Sequence, residues 1–466
     1  MRQGVFLVPI FLLCFIATIF IQFFLPLVSY GLLILLISIL SFRKGLIDYR
    51  VGFLGMITLY SMYPLVHYFI YNNHDVGIGS YNRYALLEIL PLNLRALQYI
   101  SYFCLGICLH IMLRKNKFLE CMKDLNQNNL KLTDLSKYNL QLYISYILFF
   151  LSLLLLDWGR IRAEYTLEGI SLTFFICYFV FSIYGIFIAS TGKLTISKII
   201  PLFLIMSVFA FMGTRQTIFW GILILFISNI IFLSRNPRSW ISKSFLKSLI
   251  KYLFIITGIV TIFALTVSYR VNKDLGLIYA ILGDMPIVLK LSFSLFLSEV
   301  YYTYYNLLIV INSSLEGYLP LLSLFNDFFI QMIPSQLFPG KYAYMDFVNL
   351  SRDFELTPFG TWYIIGMIAT VSIIPIMSMI LGFLYCELIN FISILLKKTT
   401  SHLGEFSAFY AIIYVFCSFY PVRATIAGGL KMALSIFIIF ASFKLIPVIY
   451  KSIQVYNGRM KYLHGN

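Results

Sequence analysis

Arginine residues beside apolar stretches are the side chains in this sequence best suited to chemistry. Five of them follow or separate long apolar runs: Arg160, Arg162, Arg215, Arg270 and Arg423. A planar guanidinium donates two parallel hydrogen bonds to a phosphate or carboxylate, so it captures such groups better than lysine does. Several guanidinium groups at one membrane depth would offset the charge of a lipid diphosphate. The pattern predicts a site for an anionic lipid headgroup, although each arginine alone could equally contact ordinary lipid phosphates.

Three carboxylates occur where they could accept a proton from a substrate hydroxyl group, as transfer of a sugar requires. Glu299 interrupts an apolar stretch, and burial of that stretch would make it a stronger base. Asp353 and Glu355 flank Phe354 beside Arg352, whose charge would stabilise their ionised forms, so they could instead organise the site. We predict that the catalytic base is among Glu299, Glu355 and Asp353.

The sequence lacks the motifs of nucleotide hydrolysis and of metal-dependent catalysis. It contains no P-loop, HExxH or GxSxG pattern and no acidic cluster with metal-ligand spacing. The seven cysteines form no CxxC pair and mostly lie in apolar runs, which is typical of small core residues. We therefore expect no metal and no cofactor. A net charge of +16 would suggest nucleic acid for a soluble protein, but in so apolar a chain it reports membrane topology, and we expect no nucleic-acid partner.

The elements that position these residues are predicted to be transmembrane helices. The chain of 466 residues is 60% hydrophobic and 12% charged, a balance that would expose large apolar patches in a soluble domain. The fold is therefore predicted to be an all-α polytopic bundle, with 1–466 as one integral membrane domain. Apolar runs of the length that crosses a bilayer predict twelve spans, near residues 5–25, 27–42, 51–71, 96–113, 140–156, 170–190, 199–213, 216–233, 252–268, 361–396, 405–421 and 428–448.

The distribution of basic residues predicts the orientation of these spans. If the chain starts in the cytoplasm, the cytoplasmic loops and the two ends hold 16 lysines and 7 arginines, against 4 lysines and 8 arginines outside. This satisfies the positive-inside rule and puts both termini in the cytoplasm. The preference for arginine over lysine outside agrees with an outward anion site.

The longest segment predicted to lie outside, 269–360, is rich in Tyr, Phe and Pro and is expected to be structured. If 290–312 and 318–338 also cross the bilayer, the number of spans becomes fourteen and the termini stay cytoplasmic. The tyrosine-rich run 301–305 either belongs to an interfacial aromatic belt, which we favour, or lines a sugar-binding groove.

In these features the chain resembles the Wzy-type oligosaccharide repeat-unit polymerases of bacterial O-antigen and capsule assembly. The likeness covers the whole topology and is most specific in two places. One is the turn MGTR at 212–215, and the other is the block from IPS at 333–335 through FGTW at 359–362 to LG at 381–382.

The resemblance implies a metal-independent glycosyltransferase of the lipid-carrier (GT-C-like) type in the bacterial inner membrane. It would polymerise undecaprenyl-pyrophosphate-linked oligosaccharides at the periplasmic face, transferring the growing glycan to a newly delivered repeat unit. The resemblance matches Arg215 to the turn arginine that engages the pyrophosphate and adds Arg352, from the large loop, to the pyrophosphate-binding set. It also implies a separate chain-length co-polymerase as partner, besides the membrane lipids.

Three alternatives remain open from the sequence. An O-antigen ligase shares the arginine turn but uses a different acceptor. A flippase or exporter of lipid-linked oligosaccharide also has twelve or fourteen spans, but its charges should line a cavity at mid-membrane depth. An acyltransferase would need an intramembrane histidine, and His67 and His110 stand in apolar runs without evident partners.

Overall fold

The protein is described here by a computed structural model. The structure describes residues 7–19, 25–44, 48–71, 90–127, 135–154, 171–192, 194–211, 215–234, 304, 307–308, 311–312, 323–333, 338, 340–345, 376–400, 403–419, 428–438 and 441–442. Its α-helices are α1 (Leu7–Ile19), α2 (Leu25–Lys44), α3 (Tyr49–Tyr71), α4 (Leu90–Leu113), α5 (Lys117–Gln127), α6 (Ser136–Leu154), α7 (Ser171–Thr191), α8 (Ile196–Phe211), α9 (Arg215–Ser234), α10 (Ser323–Met332), α11 (Ile376–Thr399), α12 (Leu403–Tyr414) and α13 (Gly428–Ile438).

The described residues are almost entirely helical and contain no strand, which confirms the all-α prediction for this part of the chain. A π-helical turn, Val415–Phe419, continues α12, and a 3-10 turn, Lys341–Tyr344, follows α10. Two helical stretches in these ranges, Pro91–Met122 and Ile376–Lys398, are long and apolar enough to cross a membrane. The apolar stretches within the other helices are 10–17 residues long, so length and composition support membrane association but leave the predicted count of twelve spans untested.

Glycines allow α4 and α11 to approach each other closely. A Cβ atom added at Gly106 of α4 would collide with the backbone carbonyl of Met379, and one at Gly382 of α11 would collide with the carbonyl of Phe103. Small residues at a crossing are the usual means by which helices pack without a large apolar driving force between them. This is the most extensive helix–helix contact in the described part of the chain, and it carries polar side chains discussed below.

Several helices leave apolar faces uncovered. On α6, Leu140, Ile147, Phe150 and Leu154 are exposed, and α11 exposes an apolar side chain about once per turn between Ile376 and Leu395. Such stripes would be unfavourable in water but are the natural surface of a helix that contacts lipid.

The last described helices, α12 and α13, pack against each other. Phe409, in the middle of α12, contacts Phe437 of α13, with ring centroids 5.7 Å apart.

Within the predicted outer segment 269–360, some described residues belong to the core. Tyr304, Leu307, Leu308 and Ile311 are helical, buried and spaced three to four residues apart, so they share one helix face. Since Tyr304 is only 3% exposed, this member of the tyrosine-rich run packs inside the protein and not in an aromatic belt at the lipid surface.

Candidate functional site

Two lysines from distant parts of the sequence meet at one end of the bundle. Lys341 begins the 3-10 turn after α10, and its Nζ donates hydrogen bonds to the backbone carbonyls of Gln331, at 3.2 Å, and Ile333. Lys431, in the first turn of α13, places its Nζ 3.4 Å from the same Ile333 carbonyl. We call Lys341 and Lys431 the lysine pair.

The sequence explains part of this arrangement. Helix α10 ends at Met332, and the last carbonyls of a helix have no partner within it and carry partial negative charge. Lysine near such an end is a common cap. The lysine pair differs from a simple cap because Lys341 is 1% exposed and two cationic side chains converge on one carbonyl.

The basic-residue pattern predicts that the lysine pair faces outward. Lys341 and Lys431 are two of the four lysines that lie outside in the predicted topology. Lys397 of α11, which forms an ion pair with Asp124 of α5, N to O 2.7 Å, is predicted to be cytoplasmic.

The electrostatics of the lysine pair are unusual for surface lysines. Burial and, to a smaller extent, the charge of Lys431 together lower the pKa of Lys341 to about 8. A lysine in this state exchanges its proton near physiological pH, which an exposed lysine does not do. The site can therefore hold one or two positive charges, depending on its occupant.

A second polar group lies among α3, α4 and α11. It consists of Asp48, Arg50, His110, Glu387 and Asn390, which we call the inner polar network. Asp48 and Arg50 are fully buried and paired through two contacts, Nε to Oδ1 at 2.9 Å and Nη2 to Oδ2 at 2.6 Å. Asp48 also accepts a hydrogen bond from the Arg50 backbone N–H at 3.1 Å, so it caps the start of α3 as well.

The geometry assigns the protonation of His110. Arg50 Nη1 lies 3.0 Å from His110 Nδ1, and a guanidinium can only donate, so Nδ1 must accept. The ring proton of neutral His110 is then on Nε2, which lies 3.6 Å from the Glu387 carboxylate. The Asn390 amide nitrogen lies 3.4 Å from Nε2 and, since it is also a donor, makes no hydrogen bond to that proton. Glu387 in turn contacts Arg114 Nε at 3.0 Å near the surface. The inner polar network therefore connects a buried ion pair to the edge of the protein.

Most residues predicted as functional from the sequence lie outside the described residues: Glu299, Glu355, Asp353, Arg160, Arg162, Arg270, Arg352 and Arg423. Arg215 is the first residue of α9, directly after the predicted turn, and only its backbone is described. The predicted arginine site and the catalytic carboxylates therefore stay predictions. The structure adds the approach of Lys341 and Lys431 to one carbonyl, that of Ile333.

Two sequence interpretations are wrong. Arg50 was counted among the cytoplasmic loop cations, but it lies in α3, fully buried against Asp48. His110 was expected to lack partners, yet it contacts Arg50 and Glu387. The close spacing of Asp48 and Arg50 at the start of an apolar run could have indicated the buried ion pair. The same spacing also fits an ordinary loop, so it did not distinguish the two.

The cysteines form neither disulfides nor a metal centre in the structure. All seven are buried free thiols, as expected for small core residues. Among the described residues, no three His, Cys, Asp or Glu side chains are grouped closely enough to hold a metal ion.

Comparison with protein-family models, with curated proteins and with solved structures finds no match for this chain. The functional argument therefore rests on the residues and their arrangement.

Proposed function

We propose that the protein is an integral membrane glycosyltransferase that polymerises lipid-linked oligosaccharide repeat units at the outer face of a bacterial cytoplasmic membrane. The donor would be a glycan on undecaprenyl pyrophosphate, and the acceptor a second lipid-linked repeat unit. The proposal includes twelve or fourteen spans, both termini in the cytoplasm and a chain-length co-polymerase as a separate partner.

The observation that carries the proposal is the convergence of Lys341 and Lys431 at the end predicted to face outward. Two cationic side chains held together and partly shielded from solvent suit an anionic group such as a diphosphate. The predicted outer arginines would complete this site: Arg160, Arg162, Arg215, Arg270, Arg352 and Arg423. Together these groups would stabilise the charge that develops on the departing lipid diphosphate.

The transfer step also needs a base. Glu299, Glu355 or Asp353 would take the proton from the acceptor hydroxyl group while its oxygen forms the new glycosidic bond and the lipid diphosphate leaves. Exclusion of water would protect the product from hydrolysis. Parts of segment 269–360 that pack into the core, such as Tyr304, suit such a cover.

Deletion of the gene in the glycan-producing host tests the proposal. The mutant should display single capped repeat units in place of long chains on a polysaccharide gel, because units are still delivered but not joined. Complementation with Arg215→Ala should leave the short pattern at a normal protein level, whereas Lys397→Gln, on the predicted cytoplasmic side, should restore long chains. Complete loss of surface units would instead indicate a ligase. Long chains in the deletion strain would disprove polymerase activity.

A second candidate function, export of the lipid-linked oligosaccharide, is favoured by the inner polar network. Buried ionisable groups between membrane helices often belong to transport pathways. Accumulation of repeat units on the cytoplasmic leaflet of the deletion strain would identify an exporter. A polymerase mutant should show those units outside.

A further inference from the structure

Helices α4 and α5 run alongside α11 as one interrupted helix. Contacts between them share a single sequence separation of 273 positions. These contacts are Gly106 with Met379, His110 with Phe383, Arg114 with Glu387, Lys117 with Asn390 and Asp124 with Lys397. A constant separation means that the two segments are parallel and in register. The break between α4 and α5 is therefore level with Glu387, near the middle of α11.

Side chains hold this break in place. Arg50 Nη1 donates to the Arg114 carbonyl at 3.0 Å, which satisfies the end of α4 from α3. Asn116 Oδ1 accepts from the backbone N–H of Phe118 at 3.0 Å, which satisfies the start of α5. The break is thus a built part of the fold. Interrupted helices inside a membrane bundle are where many transporters bind their substrates.

The break carries exposed basic side chains. Arg114, Lys115 and Lys117 are 63%, 84% and 48% exposed. In the described part of the chain, the acids that pair with them are Glu387 and Glu120, so three cations share two carboxylates. An exposed cation beside hydrocarbon is unfavourable unless an anion or water accompanies it. The break therefore presents an excess of positive charge that suits an anionic group.

An apolar surface of α11 borders these cations. Leu384, Leu388 and Phe391 are exposed. Glu387 follows Leu384 by three positions and precedes Phe391 by four, so it lies on the same helix face. Because Glu387 contacts Arg114, the cations adjoin the apolar stripe about half-way along it. An apolar surface with cations at its side suits a lipid that has an anionic headgroup.

We propose that Arg114, Lys115 and Lys117 bind the diphosphate of a polyprenyl lipid half-way along α11, with the lipid chain on the face formed by Leu384, Leu388 and Phe391. This site would serve the second candidate function, export, on which its role rests. An exporter is expected to carry its charges part-way across the bilayer. The register between α4–α5 and α11 puts these cations at such a level, while the lipid chain would stay on the apolar surface.

Photo-cross-linking locates the lipid on the protein. The full chain in phosphatidylcholine nanodiscs is irradiated with a farnesyl diphosphate analogue that carries a benzophenone in its chain, and cross-linked peptides are identified by mass spectrometry. Cross-links to 384–391 should saturate and should be competed by unlabelled farnesyl diphosphate. Phe203 of α8 is also an exposed apolar residue, and cross-links there should be weaker and should not saturate. Equal labelling of both places, or none on α11, would overturn the proposal.

Lysine variants test the headgroup contacts. The double variant Lys115→Gln with Lys117→Gln should raise the analogue concentration for half-maximal cross-linking by about tenfold per lysine, because each charge-assisted contact is lost. Both side chains are exposed, so their replacement should leave the packing intact. Lys397→Gln is the matched control, since Lys397 pairs with Asp124 further along α11 and should not affect the labelling. A wild-type concentration dependence in the double variant would rule out the two lysines as headgroup contacts.

Competition identifies the kind of lipid. Unlabelled farnesyl diphosphate should compete at a concentration at least about tenfold below that of phosphatidylglycerol, because a diphosphate presents more charge to the three cations. Equal competition would mean that an ordinary phospholipid occupies the site and would contradict the proposal. Export is measured separately in the deletion strain. Lysine-dependent cross-linking without an export defect would refute export and keep the site, whereas an export defect with cross-linking that ignores both lysines would refute the site alone.

Discussion

At the scale of single residues, the most consequential contact is the buried ion pair of Asp48 and Arg50. Removing two charges from water costs several kcal/mol per ion, and the loss is repaid only where geometry and further hydrogen bonds are good. Arg50 meets this condition through Asp48, His110 and the Arg114 carbonyl, which accepts from Nη1 at 3.0 Å. The pair thereby joins the start of α3 to the end of α4.

Arg50→Gln should destabilise the protein strongly, by about 3–5 kcal/mol, because it leaves the Asp48 carboxylate buried without its counter-ion. The double variant Asp48→Asn with Arg50→Gln should recover part of the loss, because no buried charge remains. Unfolding in mixed detergent micelles measures both free energies. Lys397→Gln is the matched control: its pair with Asp124 is partly exposed and should cost less than about 1 kcal/mol. Equal effects of Arg50→Gln and Lys397→Gln would contradict the argument.

At the scale of helices, the crossing of α4 and α11 organises the described bundle. Gly106 and Gly382 let the two backbones touch, and the same two helices carry His110, Glu387 and Asn390. The crossing therefore sets the distances on which the inner polar network depends. A substitution that changes the packing of α4 against α11 should therefore also change the contacts of the inner polar network.

Gly382→Leu should separate α4 and α11, because a side chain at this position collides with backbone atoms of Phe103 and not with a movable side-chain tip. Overpacking of this kind usually lowers the free energy of unfolding by about 1–3 kcal/mol. Because the collision is with backbone atoms, we expect a loss at the upper end of this range. Gly55→Ala, in α3, is the control, since nothing lies within 4 Å of its added Cβ. Thermal melting of both variants in detergent measures the difference, and a wild-type melting temperature for Gly382→Leu would disprove the close approach.

At the scale of the whole molecule, the exposed apolar faces suit contact with lipid, and the basic-residue pattern predicts which side faces the cytoplasm. That prediction assigns Lys397, paired with Asp124, to the cytoplasmic side and the lysine pair to the outer side. The native thiols are all buried, so introduced cysteines can report on each end.

Labelling of single cysteines with a membrane-impermeant maleimide in intact cells tests this orientation. Tyr344→Cys, at a position that is 62% exposed beside Lys341, should react from outside. Lys115→Cys should react only after the cells are opened, because its loop is predicted to be cytoplasmic. The wild type should remain almost unlabelled. The reverse pattern would invert the predicted topology and move the lysine pair to the cytoplasmic face.

The sequence was sufficient for helix positions because apolar runs are long and charge is rare. Described helices such as α2 and α3 lie close to the predicted spans 27–42 and 51–71. It was insufficient for contacts between distant segments. Nothing in the spacing of Lys341 and Lys431 indicates that they meet, because the approach depends on how the start of α13 lies against the end of α10. Arg50 was misread for the same reason: its partner His110 lies sixty positions away.

The exposed stripe of α11 relates the protein to the thickness of its bilayer. From Ile376 to Leu395 the stripe extends over about 29 Å at about 1.5 Å per residue, which nearly equals a typical hydrocarbon core of about 30 Å. Lipids with shorter acyl chains would create a hydrophobic mismatch, and α11 would relieve it by tilting. Such a tilt would move Glu387 relative to His110, so the acyl-chain length of the host membrane would act directly on the hydrogen bonding inside the protein.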